Sequence, residues 1–367
     1  MVDAPHQLFT TISRYPCGPV QLYEWHGRYG ALQRLLPPWE DTEIIASSGG
    51  IDPGARVTLK MKTGPFALIP ITFTAHHLSA RHGECFVDTQ QEGPFTHWTH
   101  THLFRQHAEG CELEDRVEYA LPCQRLLPAV IQRHIRGKLR RMFDYRVQTL
   151  QEDIALHNRC STKSLRLLIS GASGVIGKAL TPLLTTGGHE VWRLVRRRAD
   201  SAKKEIYWDP QRGELDLCSA PHFDGVIHLA GEYIGLCRWS AAKKERVLSS
   251  RIQGTDLLIN RLAARERRPA VFLCASANGY YGNNDQHNID EETPFGSNFI
   301  AGVCRRWEQS AVKAKEYGIR TVMLRFGVGL TPKGGALHRI LHALPFGYIR
   351  SFADGSQIIS WISSDDM

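Results

Sequence analysis

Apolar and polar residues alternate with two different periods along this chain, and the change of period near Asn158 divides it in two. Before that point RVTLKMKTG (56–64), ALIPITFTAHHLSA (67–80), GECFVDTQQEGPFTHWTHTHLFRQ (83–106) and CELEDRVEYALP (111–122) alternate in steps of two. Half-buried antiparallel strands give this pattern, because successive side chains face opposite ways. A long amphipathic segment, Leu126 to about His157, closes the region, and a shorter helix is predicted over Tyr29–Leu36, ended by Pro37 and Pro38. An antiparallel sheet wrapped around a long C-terminal helix encloses a concave apolar space, suited to an apolar ligand.

Past the polar linker His157–Ser164 the pattern becomes strand, helix, strand. Apolar runs predict strands at Leu165–Ser170, Glu190–Val195, Gly225–Leu229, Val271–Ala275 and Thr321–Phe326. Helical spacing predicts helices at Gly177–Thr185, Lys243–Ala264 and Gly302–Tyr317. Such alternation implies a doubly wound parallel sheet with crossover helices. The reading is therefore two domains, 1–158 and 164–367, with no internal repeat.

Within the second domain LRLLISGASGVIGKAL, Leu165–Leu180, reads as a strand, a phosphate-binding turn and a helix. Gly171 permits the sharp turn, Gly174 lets backbone approach a pyrophosphate, and Gly177 lets the helix pack closely. The helix directs its unpaired N–H groups and positive dipole end at the ligand's phosphates. The next strand ends in LVRRRAD, where an NAD site usually offers a carboxylate to the ribose. Guanidinium groups match a 2′-phosphate instead, so Arg196, ahead of Arg197 and Arg198, points to NADP. HLAGE, His228–Glu232, ends a third strand in small residues that let a dinucleotide pass close by.

Bulk properties narrow the setting. At 367 residues two cores are the default, and 42% hydrophobic residues with a mean hydropathy of -0.29 describe a globular chain. No apolar run approaches the roughly 20 residues of a membrane span, and MVDAPHQLFTTISRY lacks a signal peptide's apolar centre, so a cytoplasmic protein without a membrane partner is expected. Nine cysteines, odd in number and never spaced C-x-x-C, favour free thiols over disulfides or a zinc site. The net charge of +8 gathers in RHIRGKLRR (133–141), RRR (196–198) and RERR (265–268). The first reads as the solvated face of a helix whose apolar stripe is Val130, Ile131, Ile135, Leu139 and Phe143. No nucleic-acid motif accompanies these clusters, so no nucleic-acid partner is expected.

GASGVIG, HLAGE, RWSAAKKERVLSSRIQGT, SANGYYG, VCRRWE and SWISSDD together resemble the atypical extended short-chain dehydrogenase/reductases known as epimerase family proteins, from Leu165 to the last residue. YGALQRLLPPWE, FVDTQQEGPF and HWTHTHLF resemble the SRPBCC (START-like) ligand-binding domain, which implies an α+β helix-grip for the first domain. The first resemblance implies an NADP-binding Rossmann domain acting on a small-molecule substrate, as an oxidoreductase or epimerase. By position, Gly171, Ala172, Ser173, Gly174, Val175, Ile176, Gly177, Val195, Arg196, Leu229, Ala230, Gly231 and Gly329 would hold the cofactor. Arg251 stands where extended members carry asparagine, and would bind a phosphate or carboxylate or else form a salt bridge within the helix layer. The resemblance also implies a chain that stops short of the family's final substrate-covering segment, leaving GGAL (334–337) and GSQIISWI (355–362) as the remaining wall.

Catalysis departs from that pattern. The superfamily's acid/base is a tyrosine with a lysine four residues on, plus a serine that holds the substrate oxygen. Aligned on Glu308, the tyrosine position is Ile300 and the lysine position Cys304. The serine position is Ala277, with Ser276 beside it as a substitute. Ser276 and Tyr281 are the catalytic candidates, with Tyr280, Glu232 and Cys304 as further groups near the cleft. In HWTHTHLF, His100 and His102 share a strand face while His97 points away, so a metal would need a third ligand from elsewhere. The reading assigns no metal and makes the histidines a polar lining, joined by Asp88, Gln90 and Trp98 at one end of an apolar ligand. Three functions compete: an NADP-dependent oxidoreductase or epimerase with an unusual acid/base, a non-catalytic NADP(H) sensor or scaffold, and a carrier that presents an apolar molecule to the nucleotide domain. The oligomeric state is not encoded in any of these patterns.

Overall fold

A computed structural model of the chain describes residues 6–63, 69–160, 163–235, 238–283, 288–344, 354–355 and 357–367. Cys237, the residues Ala67 and Leu68 of an expected strand, and Ser356 of the expected wall lie outside them. Contacts divide the chain into two units, Met1–Lys163 with Pro182–Gly188, and Ser164–Thr181 with His189–Met367.

The first unit contains β1 (Gln7–Tyr15), α1 (Pro19–Gly27), α2 (Ala31–Leu35), β2 (Thr42–Ser47), β3 (Arg56–Thr63), β4 (Ile69–Arg81), β5 (Cys85–Glu92), β6 (His97–His107), β7 (Gly110–Ala120) and the 32-residue α3 (Ala129–Cys160). Its strands form one antiparallel sheet in the order β1-β7-β6-β5-β4-β3-β2. α3 buries Leu139, Phe143, Leu150 and Ile154, spacings that keep one face of a helix on the sheet. Phe143 packs against Phe9 and joins Trp98, Val117 and Tyr119; Leu150 and Ile154 join Trp25, Phe86 and Phe104. Each of these side chains contributes roughly 1.5–3 kcal/mol by leaving water. Arg133, Arg136, Arg140 and Arg141 face solvent, as the amphipathic pattern requires. Val130 and Ile131 are exposed, so the apolar stripe starts at Ile135 and not at the helix's first turn.

The second unit contains β8 (Arg166–Ser170), the start of α4 (Val175–Thr186, whose residues from Pro182 on group with the first unit), β9 (Glu190–Val195), β10 (Glu205–Asp209), β11 (Glu214–Leu215), β12 (Gly225–His228), α5 (Ala241–Ala263), β13 (Val271–Ala277), α6 (Phe299–Val312), β14 (Arg320–Phe326), β15 (Val328–Thr331), α7 (Gly335–Ala343) and β16 (Trp361–Ser363). The main sheet runs β11-β10-β9-β8-β12-β13-β14 and is parallel except for β11. Counting its parallel strands in chain order gives 3-2-1-4-5-6, the doubly wound Rossmann order. Leu168, Val226, Phe272, Leu258, Leu262 and Ala311 are fully buried in its core, which is why the central strands read as continuous apolar runs. Side-chain caps start two helices: Ser240 accepts from the Lys243 N–H ahead of α5, and Asn298 accepts from the Ala301 N–H ahead of α6. β15 and β16 form a separate parallel pair. Among the described residues no helix is long and apolar enough to cross a membrane.

Candidate functional site

Register assembles the site. Ser170 at the end of β8 is paired with Leu194 of β9 on one side and His228 of β12 on the other. The residues that follow, Gly171, Val195–Arg196 and Leu229–Ala230, therefore leave three adjacent strands at the same carboxyl edge. This is also where the strand order reverses, the position at which open α/β sheets bind ligands.

Gly171 has φ +74, and a Cβ there would come within 2.8 Å of Ala230 N and Leu229 C. Its freedom serves both the turn and the close approach of the neighbouring strand exit. A Cβ on Gly177 would overlap Gly171 O and lie 2.5 Å from Ala172 Cα, so this glycine packs the helix onto its own turn. Gly174 is exposed and would bring a Cβ 3.2 Å from Gly171 O. Its N–H is committed to Gly171 O at 2.9 Å. The N–H groups of Ser173, Val175 and Ile176 have no backbone acceptor among the described residues. An exposed helix start with free N–H groups fits an anion, and so fits a dinucleotide's pyrophosphate.

Behind the turn lies a polar chain absent from the sequence reading. Ser170 Oγ is 2.6 Å from His228 Nδ1, His228 Nε2 is 3.0 Å from Thr255 Oγ1, and Trp307 Nε1 donates to the same hydroxyl at 3.0 Å. Ser170 Oγ also accepts the Leu229 and Ala230 N–H groups, at 3.2 and 3.3 Å, tying the β12 exit to β8. Burial, with the Arg251 charge adding to it, pushes the His228 imidazole down to about 3, so it is neutral here. A histidine inside an apolar strand is the one signal for this network in the sequence.

The three arginines after β9 differ. Arg197 forms a two-pronged pair with Glu205, at 2.8 and 2.6 Å, which Arg193 joins at 3.1 Å. Burial opposes ionisation of Glu205, but these guanidinium groups hold its carboxyl below the usual range. Arg196 is exposed and forms no ion pair within 4.0 Å among the described residues. Arg251 forms no salt bridge within 4.0 Å among the described residues, which sets aside the second of its two readings. Its Nη1 donates to Val247 O at 3.0 Å and Glu232 O at 3.2 Å, and its guanidinium stacks over Trp307 at 4.9 Å. A Cβ on Gly231 would stand 3.1 Å from Arg251 Cζ, so that glycine makes room for the guanidinium against the loop. Gly329 lies on β15, beyond the last strand of the main sheet.

The catalytic candidates are engaged elsewhere. Ser276 is buried and donates to Glu308 Oε1 at 2.6 Å. Arg325 grips both Glu308 oxygens at 2.9 Å, donates to Tyr281 OH at 2.9 Å and lies 3.7 Å above the Tyr280 ring. Ser276 and Tyr281 thus sit at the two ends of one Glu308–Arg325 ion pair. Glu232 as a proton donor is corrected: Lys243 at 2.7 Å lowers its carboxyl and keeps it ionised. Cys304 is buried, which pushes its thiol up, away from the reactive thiolate. Glu308 itself was readable as a carboxylate on the buried face of α6, four residues past Cys304, which demands a partner.

In the first unit His100, His102, Asp88 and Trp98 are buried, while His97 faces the other way and stacks on His6 at 3.8 Å. Gln90 is not part of this lining; it braces the loop by bonding the Phe95 backbone at 2.7 and 3.2 Å. A cleft of 590 Å³ lined by Trp192, Tyr207, Leu215 and Arg261 lies at the β10–β11 edge and includes none of the cofactor candidates.

The family model described as NAD dependent epimerase/dehydratase family matches residues 167–367. An epimerase family protein of Mycobacterium bovis is 39% identical over 198 residues, 54% of this chain and 65% of its own length. The epimerase family protein SDR39U1 of Bos taurus is 32% identical over 206 residues, 55% of this chain and 67% of its own. The chain therefore spans about two thirds of the length of the curated relatives it matches. Among solved structures it is similar to the nucleoside-diphosphate sugar epimerase from Corynebacterium glutamicum. That likeness has a TM-score of 0.79 at 29% identity and covers 98% of this chain and 73% of the other.

Proposed function

From a chain that belongs to the NAD dependent epimerase/dehydratase family, we infer an NADP(H)-binding protein of oxidoreductase or epimerase type, its cofactor seated on the Gly171–Gly177 turn. One observation carries the choice of NADP. Of three consecutive arginines at the ribose end, Arg197 is neutralised by Glu205 while Arg196 is exposed and has no ion pair within 4.0 Å among the described residues, a cation suited to a 2′-phosphate. The Ser173, Val175 and Ile176 N–H groups face the pyrophosphate, Ala172 and Gly174 leave it room, and Gly177 packs the helix against the turn. Val195, Leu229, Ala230, Gly231 and Gly329 border the remaining length. Among the described residues Arg251 donates through Nη1, which leaves its other N–H groups for a further phosphate or a carboxylate. When bound, a nicotinamide supplies hydride transfer; the substrate is a small molecule taken at the same edge of the sheet. Fluorescence titration tests the reading: NADPH should bind at least tenfold tighter than NADH, and Arg196→Glu should abolish the difference. Equal affinities for the two in the wild type would overturn the NADP assignment.

A second reading, binding without turnover, rests on the Ser276–Glu308–Arg325–Tyr281 chain. With no tyrosine–lysine pair and both candidates held by an ion pair, the unit has the parts to report cofactor occupancy and lacks the usual acid/base. Ser276→Ala and Tyr281→Phe separate the two readings. A loss of NADPH-dependent carbonyl reduction with NADPH affinity unchanged supports chemistry, whereas lowered stability alone supports the sensor. For the first unit, an antiparallel sheet followed by a 32-residue helix supports an SRPBCC-like helix-grip that holds an apolar small molecule. Its delivery to the nucleotide unit is the carrier function.

A further inference from the structure

Strand register in the first unit gathers a second set of chemically capable groups. His77 of β4 stands opposite Asp88 of β5, Asp88 opposite His100 of β6, and His102 opposite Asp115 of β7. Alternation along β6 turns His100 and His102 to the buried face. Phe86 stacks on His102 at 3.9 Å and Phe143 meets His100 edge-on at 5.4 Å, closing the cluster in apolar rings.

Two imidazoles here bridge two carboxylates. On one side His100 Nε2 lies 3.2 Å from Asp115 Oδ1, and His102 Nδ1 lies 2.7 Å from the same oxygen, a close contact bent away from a straight hydrogen bond. Burial opposes ionisation of Asp115, but His102 and His100 outweigh it and hold this carboxyl well below its usual range. On the other side His100 Nδ1 and His102 Nε2 stand 3.6 and 3.8 Å from Asp88 Oδ2, beyond hydrogen-bond reach. With His100 Nε2 donating to Asp115, its Nδ1 turns a lone pair toward Asp88, while His102 Nδ1 has no hydrogen-bond partner among the described residues. Lone pairs turned toward a carboxylate repel it unless a positive charge lies between them. His77 adds an independent sign: it is 9% exposed, it stands opposite Asp88, and its Nδ1 has no hydrogen-bond partner among the described residues.

We propose that Asp88, His100 and His102 bind a divalent transition cation of the zinc class, with Asp115 orienting both imidazoles from behind and a fourth position open. Two imidazoles and one carboxylate are the donor set such cations prefer, and three protein ligands with an open position are what a reactive rather than structural site keeps. The donor atoms lie within 4.8 Å of one another. That span closes onto one ion at about 2.0–2.2 Å per bond with a small side-chain adjustment. A cation there would add to the Arg146 guanidinium, which already acts on Asp88 and Asp115, and would polarise an oxygen of whatever ligand enters between sheet and helix. The other grouping of this kind among the described residues, His6, His97 and Glu118, has exposed members, so it serves as the control.

The test uses the full chain, stripped with a chelator and titrated with Zn²⁺ and with Co²⁺. Expected are one equivalent bound at micromolar free zinc, a visible Co²⁺ ligand-field spectrum, and a loss of about 10–100-fold in affinity for Asp88→Asn and for His102→Gln. Asp115→Asn should weaken binding by about tenfold, and His97→Gln should not change it. A wild type that holds no zinc at micromolar free metal overturns the proposal, as does a full equivalent retained by Asp88→Asn or His102→Gln. If either variant fails to fold, the wild-type histidine ring ¹⁵N resonances decide: zinc must move those of His100 and His102, and unmoved resonances sink the site.

Discussion

Gly177 has little room to change, because any Cβ there meets the backbone of Gly171 and Ala172. Backbone cannot swing aside as a side-chain tip can, so Gly177→Ala should cost roughly 1–3 kcal/mol and reduce NADPH affinity at least tenfold. Gly174→Ala meets one atom at 3.2 Å and should fold normally. Denaturant titration and cofactor fluorescence on the two variants check the contrast, and equal losses would contradict it. His228 gives the clearest pH signature. Its imidazole is pushed down to about 3 in the fold and titrates near its ordinary 6.5 in the unfolded chain. Above that ordinary value both states are neutral and stability is intact; as pH falls below it only the unfolded state takes the proton, and stability drains toward pH 3. Between about pH 7 and pH 5 the loss should be roughly 2 kcal/mol from this group, and His228→Asn should flatten that slope. Identical pH slopes for variant and wild type would show that His228 is accessible to protons in the fold.

Elements explain which parts of the chain could be read in advance. The parallel strands were legible because each is a short apolar run bounded by turn residues, and their ends predicted the cofactor edge. Of the main sheet's parallel strands β10 escaped, as did the β15–β16 pair: β10 is five residues that follow Lys203 and Lys204 and include Glu205, whose charge makes sense only once Arg193 and Arg197 fold onto it. α1 escaped for another reason, since Leu22, Tyr23, Trp25 and His26 are all buried and leave no clean polar face, and Gly18 offers no side-chain cap. α6 begins three residues earlier than its apolar spacing suggests, because the Asn298 cap rather than the stripe sets its start. Pairing across elements was the least legible feature. Glu308 on α6 and Arg325 on β14 are 17 residues apart in sequence, and nothing local announces their pair. Their side chains are 11% and 20% exposed, so Arg325→Ala leaves a largely buried carboxylate alone. It should cost about 3–5 kcal/mol, against a much smaller loss for Glu308→Gln combined with Arg325→Met. Chemical denaturation measures both, and a loss below about 1 kcal/mol for Arg325→Ala would mean that the carboxyl takes up a proton instead.

At the scale of the whole molecule the two units have separate cores: the residues around Leu168, Phe272 and Leu258 in one, those around Trp25, Phe143 and Tyr119 in the other, with no member in common. The two ligand readings inherit this separation, since the dinucleotide residues follow β8, β9 and β12 while the imidazole–carboxylate cluster sits on β5, β6 and β7. A ligand that binds only the folded form adds stability where it binds, about 2.7 kcal/mol at a hundred times its dissociation constant. Amide hydrogen exchange resolves that gain by segment. NADPH should slow exchange in 165–180, 191–196 and 228–232, and zinc in 85–92, 97–104 and 111–117. Slowing by NADPH confined to the second set would remove the dinucleotide from the glycine turn, because binding energy must appear first in the backbone that the ligand contacts. The same measurement on Gly177→Ala separates lost binding from lost fold. A folded variant keeps its slow-exchanging β12 and β13 amides without NADPH and shows no further slowing when NADPH is added.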